Sequence, residues 1–268
     1  MTKKMLYAIL AVMKRAERSA YFLQGLRHGI PICLGYLSVS FAFGIFTINQ
    51  GFAVWQAVLI SMVNVTSAGQ LAGVPIIAGH LPFVEMALSQ LVINLRYALM
   101  SVSLSQKLDS SVTFLDRFVI AFMNTDEVFA VASGQKGNVS RWYMFGLISM
   151  PYVGWAVGTA LGALAGNILP QVLTNALGIA IYGMFIAIII PPAKKSGAVA
   201  GVVVLSSLMS TAFKFVPALK GITGGFVIII CAIVSSAFFA FAAPVTEKTE
   251  TEAATSEAAK ENAEAQDE

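Results

Sequence analysis

Charge is scarce in this chain. Only 12% of its 268 residues are Asp, Glu, Lys or Arg, roughly half the share of an ordinary soluble domain. Cysteine and histidine are scarcer still. Cys33 and Cys231 both fall within apolar runs, and His28 and His80 stand far apart in the sequence. Neither a disulfide framework nor a metal site can be read from such spacing. Absent too are H-E-x-x-H, G-x-S-x-G and any phosphate loop, so no metallohydrolase, serine hydrolase or nucleotide-driven machine is indicated. The expectation is a non-enzyme with no cofactor, no metal and no nucleic-acid partner.

What is present is apolar sequence in long runs. Hydrophobic residues make up 57% of the chain, and runs long enough to cross about 30 Å of hydrocarbon occur at 29–48, 53–78, 83–105, 113–133, 141–166, 171–191, 197–217 and 221–243. The fold class is all-α, a polytopic α-helical integral membrane protein of about eight transmembrane spans. Asp116, Arg117, Asp126 and Glu127 interrupt the run 113–133, and dropping it leaves seven. Cytoplasmic loops carry excess Lys and Arg, which decides between the counts. Eight spans with an inside N-terminus put Lys3, Lys4, Lys14, Arg15, Arg18, Arg27, Lys136, Arg141, Lys194 and Lys195 inside, and leave Lys107 and Lys220 outside. Seven spans would move Lys136, Arg141, Lys194 and Lys195 out. Eight spans with both termini cytoplasmic is therefore the expected topology.

Three regions follow. Residues 1–28 form a basic cytoplasmic N-terminal segment with an interfacial helix, since the apolar stretch after Lys4 lacks a cleavage site and runs straight into Lys14, Arg15, Glu17 and Arg18. Residues 29–243 are the transmembrane domain. Residues 244–268 carry eight carboxylates against Lys248 and Lys260, a balance of −6 that leaves +9 for the rest of a chain whose net charge is +3. That tail reads as disordered.

Arg96 is the most informative residue. Within 83–105 the only other charge is Glu85, and Arg96 stands roughly 20 Å of helix rise from Phe83. A guanidinium at that depth costs several kcal/mol unless it meets a carboxylate, an anion or a polar cavity. Glu85, Ser89, Val92 and Arg96 recur at helical spacing, with Gln90 and Asn94 as a second polar stripe. Arg96 and Asn94 together are expected to present planar donors to a carboxylate. Asp126 and Glu127 supply candidate partners, or groups for a substrate ammonium or a coupled proton. They point about 100° apart, and which one turns inward stays open, as does a simpler role marking the membrane boundary.

The second run holds Asn64, Thr66, Ser67, Gly69 and Gln70, followed by Gly73 and Pro75. Glycine and proline weaken a helix there, which predicts a broken second span at Ser67–Gln70 whose exposed N–H groups attract a carboxylate. The alternative is a close helix contact through Gly69-x-x-x-Gly73. Phe41, Phe43, Met123 and Phe129 are candidates for an apolar side-chain pocket. A faint similarity also links Pro31-Ile-Cys-Leu-Gly35-Tyr36 to Pro151-Tyr-Val-Gly154-Trp155.

Gly29-Ile-Pro31-x3-Gly35-Tyr36 with Phe41-Ala-Phe-Gly44, Ser67-Ala-Gly69-Gln70, Asn94-x-Arg96 and Thr125-Asp126-Glu127-x-Phe129 occur in the order that resembles the AzlC-type branched-chain amino acid exporter (LIV-E) family, large permease subunit. The likeness covers about residues 20–243. It implies a secondary transporter exporting valine, leucine, isoleucine or methionine across the bacterial inner membrane, coupled to an ion gradient, and working with a small AzlD-type membrane subunit. Besides that subunit, the amino acid and the lipid bilayer, a homo-oligomer is compatible with the pattern. The substrate-binding set would be Asn64, Thr66, Ser67, Gly69, Gln70, Asn94 and Arg96, with Asp126 and Glu127 for coupling or the ammonium. A channel or facilitator for a small solute or ion is the alternative.

Overall fold

The computed structural model describes residues 3–170 and 189–243 with residues 172, 183 and 186, and only the backbone of 3–14 and 167. The expected acidic tail 244–268 and most of the expected span 171–191 lie outside the described residues. The described elements are helical: α1 Lys3–Asn49, α2 Val54–Val63, α3 Ser67–Ala78, α4 Phe83–Lys107, α5 Phe114–Phe122, α6 Asp126–Ser133, α7 Arg141–Ile168, α8 Gly197–Phe215 and α9 Gly224–Ala242. They belong to two units, Met1–Ile186 and Ala187–Glu268. In the second, α8 and α9 run antiparallel, with the Phe239 ring against Gly201 and the Ser235 hydroxyl 3.8 Å from Met209 Sδ.

The first unit is built on α1 and α7. A Cβ on Gly25, Gly146, Gly158 or Gly162 would strike the backbone of the partner helix, so these glycines let the two axes approach closely, as small residues do in membrane helices. The contacts advance in step, Gly25 at Tyr143, Cys33 at Gly154, Leu37 at Gly158 and Phe41 at Gly162. The two helices are therefore parallel. Pro31 and Pro151 lie inside them, and the Tyr36 and Trp155 rings meet edge-on at 5.0 Å. The two faintly similar segments thus face each other. α1 passes the expected boundary at residue 28 as one helix.

The run 53–78 does not cross. From the C-terminal end of α1, α2 descends until Val65 packs with Tyr36 and Trp155 in the central core. After the break at 64–66, α3 climbs back, because Val74 packs with Phe43, Phe46 and Phe52 near the end from which α2 started. Ser61 and Gln70, either side of the tip, are hydrogen-bonded at 3.0 Å.

α4 then descends the full distance, antiparallel to α3, with Gln90 and Asn94 beside Gly69 and Met86 beside Gly73. It ends where α7 begins: the Asp109 N–H donates to the Val139 carbonyl at 3.0 Å, and the Val139 N–H to the Lys107 carbonyl at 2.9 Å. The run 113–133 repeats the hairpin from this opposite end. Asp116 at its start is 2.9 Å from Arg141, and the Ser133 carbonyl at its finish accepts from Lys107 Nζ at 2.7 Å. Its tip reaches Tyr36.

Two of the expected eight spans thus fold as pairs of short helices that turn back within the unit. Five helices are long and apolar enough to cross a membrane among the described residues, in α1, α4, α7, α8 and α9. Non-helical backbone at membrane depth is tolerated where protein buries it. The second run is broken as expected, but at 64–66 rather than at Ser67–Gln70, with Pro75 accommodated inside α3. Asn64 accounts for the position: its Oδ1 accepts both the Thr66 N–H at 3.1 Å and the Thr66 hydroxyl at 2.6 Å. Lys107 lies at the basic end, not opposite it.

The two hairpins are related by a shift of 60 residues. N-cap Ala53 matches Thr113, and the side chains three residues on, Gln56 and Asp116, each accept the N-cap N–H at 2.8 Å. Asn64 at one tip matches Asn124 at the other, and on the preceding helices Tyr36 matches Arg96. One helix-plus-hairpin unit enters from one end and its counterpart from the other, the inverted arrangement common among membrane transporters.

Candidate functional site

The tips meet at the Tyr36–Trp155 pair. On the α5–α6 side, Thr125 is the N-cap of α6 and Asp126 and Glu127 open its first turn, where negative charge is favoured by the free N–H groups and the helix dipole. The neighbouring helices divide these two carboxylates between them. Asp126 Oδ2 is 2.8 Å from Arg96 on α4, and both side chains remain nearly half exposed, at 40% and 48%. The Tyr36 hydroxyl lies 2.5 Å from Glu127 Oε2 and 2.6 Å from Thr125 Oγ1. A phenol has one proton, so it donates to the carboxylate and accepts from the threonine. Arg96 also lies over the Tyr97 ring at 4.8 Å and donates to its hydroxyl at 3.0 Å.

Asn124 holds the tip to α4 by donating to Ser101 at 3.0 Å, while its buried Oδ1 has no hydrogen-bond partner. Its counterpart Asn64 spends the same oxygen on Thr66. The α3 tip makes different contacts. Gln90 donates to the Gly69 carbonyl at 2.8 Å, and Asn94 to Gln90 at 3.1 Å. Asn94 Oδ1 is also buried without a partner. Neither α3 nor α6 has a side chain capping its first turn, so two sets of helix N–H groups are aimed towards the middle of the unit.

Gln70 is fully buried and its amide is engaged at both ends, Oε1 accepting from Trp155 Nε1 at 3.1 Å and Nε2 donating to Ser61 at 3.0 Å. Ser61 continues to Thr159 at 2.7 Å. In this conformation Gln70 ties the α2–α3 hairpin to α7. Asn94 and Arg96 do not converge either. Two residues apart on a helix they point to nearly opposite faces, Asn94 towards Gly69 and Arg96 towards Asp126. The joint donor plane expected of them does not form.

The expected site residues therefore fall into two groups. Asn64, Thr66, Gly69 and Asn94 gather at the α3 tip together with Gln90, next to Ser67 in the first turn of α3, while Arg96, Asp126 and Glu127 gather at the α6 tip. Glu85 and Ser89 are buried deeper in the same stripe as Arg96. Phe41, Phe43, Met123 and Phe129 do not line one pocket, since Phe43 packs with Val74 and Met123 and Phe129 with the other cluster. Tyr36, Thr125, Asn124, Trp155, Ser61 and Thr159 were not among the candidates. A signal for Thr125 was available, because threonine followed by two carboxylates is a helix N-terminus signature. No group of three or more His, Cys, Asp or Glu able to hold a metal occurs among the described residues.

This geometry defines a class of helical membrane proteins in which two opposed helical hairpins meet at a central aromatic pair, with an ion pair at the tip of one of them. The pattern of the AzlC protein family matches residues 31–169, a stretch that holds both hairpins, the C-terminal part of α1 and all of α7, and the chain belongs to that family. It is 32% identical to a membrane protein of Archaeoglobus fulgidus over 68% of this chain and 80% of the relative. It is 28% identical to the inner membrane protein YgaZ of Escherichia coli over 71% and 85%. The branched-chain amino acid transport protein AzlC of Bacillus subtilis is 24% identical over 66% and 70%. No solved structure matches the chain.

Proposed function

We propose that this protein is a secondary transporter, not an enzyme, that moves aliphatic amino acids such as valine, leucine, isoleucine and methionine out across the inner membrane, driven by an ion gradient. The observation that carries the reading is the half-exposed Arg96–Asp126 pair at the tip of the α5–α6 hairpin. Such a pair can open without desolvating a new charge, because an incoming carboxylate replaces Asp126 on the guanidinium. The uncapped first turn of α6 adds to the attraction for that carboxylate. Asp126, released from Arg96, and Glu127 are then free to take the ammonium or a coupled proton. Asn94 and Asn124, each with an unpartnered amide oxygen, offer acceptors to the ammonium. Gln70 supports the site as a packing residue, and Ser67 serves through its backbone.

The inverted repeat supports a route for alternating access. The two tip asparagines occupy different arrangements, Asn64 capping its own tip and Asn124 bonded to Ser101. Exchange of those arrangements would convert an opening at one end into an opening at the other. Lys107, Lys136 and Arg141 at the end where α7 begins favour that end as cytoplasmic. A small AzlD-type subunit is the expected partner.

The test is uptake of labelled leucine into proteoliposomes containing the protein with its small partner. Saturable, gradient-dependent flux that falls at least about tenfold in Arg96→Ala supports the reading. Unchanged saturable flux in a normally folded Arg96→Ala protein overturns the site, and non-saturable flux indifferent to any gradient points to a channel.

A further inference from the structure

At the basic end of the first unit an open cavity of about 430 Å³ lies between residues 17–21 of α1, the start of α7 and the α4–α5 loop, well away from the Arg96–Asp126 pair. We propose that it is a second binding site, for a small zwitterionic group that carries an acidic oxygen anion and a primary ammonium.

The charges lining it are arranged without cancelling. Two guanidiniums share the Trp142 indole, Arg18 at 5.6 Å and Arg141 at 5.2 Å from the ring centroid. Arg141 is tied to Asp116 at 2.9 Å, yet its Nε is buried with no acceptor. Arg18 makes no ion pair among the described residues, although Glu17 and Asp109 line the same cavity. Asp109 Oδ1 accepts from the Ser111 N–H at 2.8 Å and its hydroxyl at 2.5 Å, which fixes the carboxylate and leaves its second oxygen for another donor. Opposite charges so close together would normally collapse into a pair. Here the backbone holds them apart, Asp109 by its N–H on the Val139 carbonyl and Arg141 by its N–H on Ser111 Oγ.

A ligand with separated charges completes both halves. Its anion meets Arg18, the free edge of Arg141 and the start of α7, where the helix dipole adds to the attraction. Its ammonium meets Asp109 and Glu17, and Trp142 and Tyr21 flank it. The volume is within the range of small-molecule sites. Two sources share this chemistry. Tryptophan, tyrosine and arginine together mark the level of lipid headgroups, so an aminophospholipid headgroup fits, and a free amino acid from the aqueous side fits equally.

The test uses the delipidated full chain in detergent, with short-chain phosphatidylethanolamine and short-chain phosphatidylglycerol as probes, and labelled leucine as a third probe applied only to Arg96→Gln protein, in which the central site has lost its guanidinium. Phosphatidylethanolamine or leucine should bind, and the affinity should fall about tenfold when Arg18→Gln or Asp109→Asn is introduced, as expected for one lost charge-assisted hydrogen bond. Phosphatidylethanolamine binding should be kept in Arg96→Gln and partly kept in Arg18→Lys. Binding of the phosphatidylethanolamine alone assigns the site to lipid, and of leucine alone to an aqueous ligand. The proposal is overturned if neither binds or if phosphatidylglycerol, which has no ammonium, binds as tightly. Binding that survives Arg18→Gln and Asp109→Asn, or that disappears in Arg96→Gln, overturns it too. Because the reading of the central site is tested by flux in Arg96→Ala, either idea can fail alone.

Discussion

At the scale of single residues, the site is a division of labour between two adjacent carboxylates. Helix geometry turns Asp126 and Glu127 apart, and the chain provides a different partner for each, Arg96 from α4 and Tyr36 from α1. Removing the Tyr36 hydroxyl leaves both Glu127 and Thr125 without their shared partner, so Tyr36→Phe should lower stability by about 1–2 kcal/mol, read as an earlier thermal transition in detergent. The Arg96–Asp126 pair is only half covered by protein, so a double-mutant cycle with Arg96→Leu and Asp126→Leu should return a coupling of about 1 kcal/mol or more, rising the less water reaches the pair. Much of this scale was legible. Arg96 declares itself as a charge in the wrong solvent, and a carboxylate partner from 126–127 follows. The role of Gln70 was not, because the residue that claims it, Trp155, is 85 positions away, and a buried glutamine looks the same in sequence whether it binds a ligand or a tryptophan.

At the scale of elements, hydropathy finds apolar length and cannot register where a chain turns round. The runs 53–78 and 113–133 are long enough to cross, yet each folds back at a tip that begins with an asparagine and ends with a threonine N-cap, Asn64-Val65-Thr66 and Asn124-Thr125. Those capping residues were the available sign. The parallel α1–α7 contact shows the opposite case, where small residues along both helices do report a close approach. A side chain at Gly162 would meet the Phe41 backbone, whereas Gly35 has nothing within 4 Å. Gly162→Val should therefore push the axes apart and sharply reduce the yield of monodisperse protein on gel filtration, while Gly35→Ala should leave it unchanged. Equal losses for both would mean that the helices are not held together by this glycine face.

At the scale of the whole molecule, the two topologies make opposite statements about sidedness. Eight crossings put Gln50 and His80 on opposite faces of the membrane, and Ser110 and Lys136 likewise. Re-entrant hairpins put Gln50 and His80 together on one face and Ser110 and Lys136 together on the other. The charge pattern favours the second arrangement, since it gathers Lys107 with Lys136 and Arg141 at one end, and the first has to leave Lys107 as an exception to the rule that basic loops stay inside. The experiment is membrane-impermeant thiol labelling of intact cells, using Gln50→Cys, His80→Cys, Ser110→Cys and Lys136→Cys one at a time in a background carrying Cys33→Ser and Cys231→Ser. Labelling from outside should occur at 50 and 80 and require permeabilised cells at 110 and 136. An alternating outcome, with one member of each pair labelled, would restore the crossing count that apolar length suggests. It would also separate the hairpin tips onto different paths through the membrane, and with them the central ion pair on which transport is argued to depend.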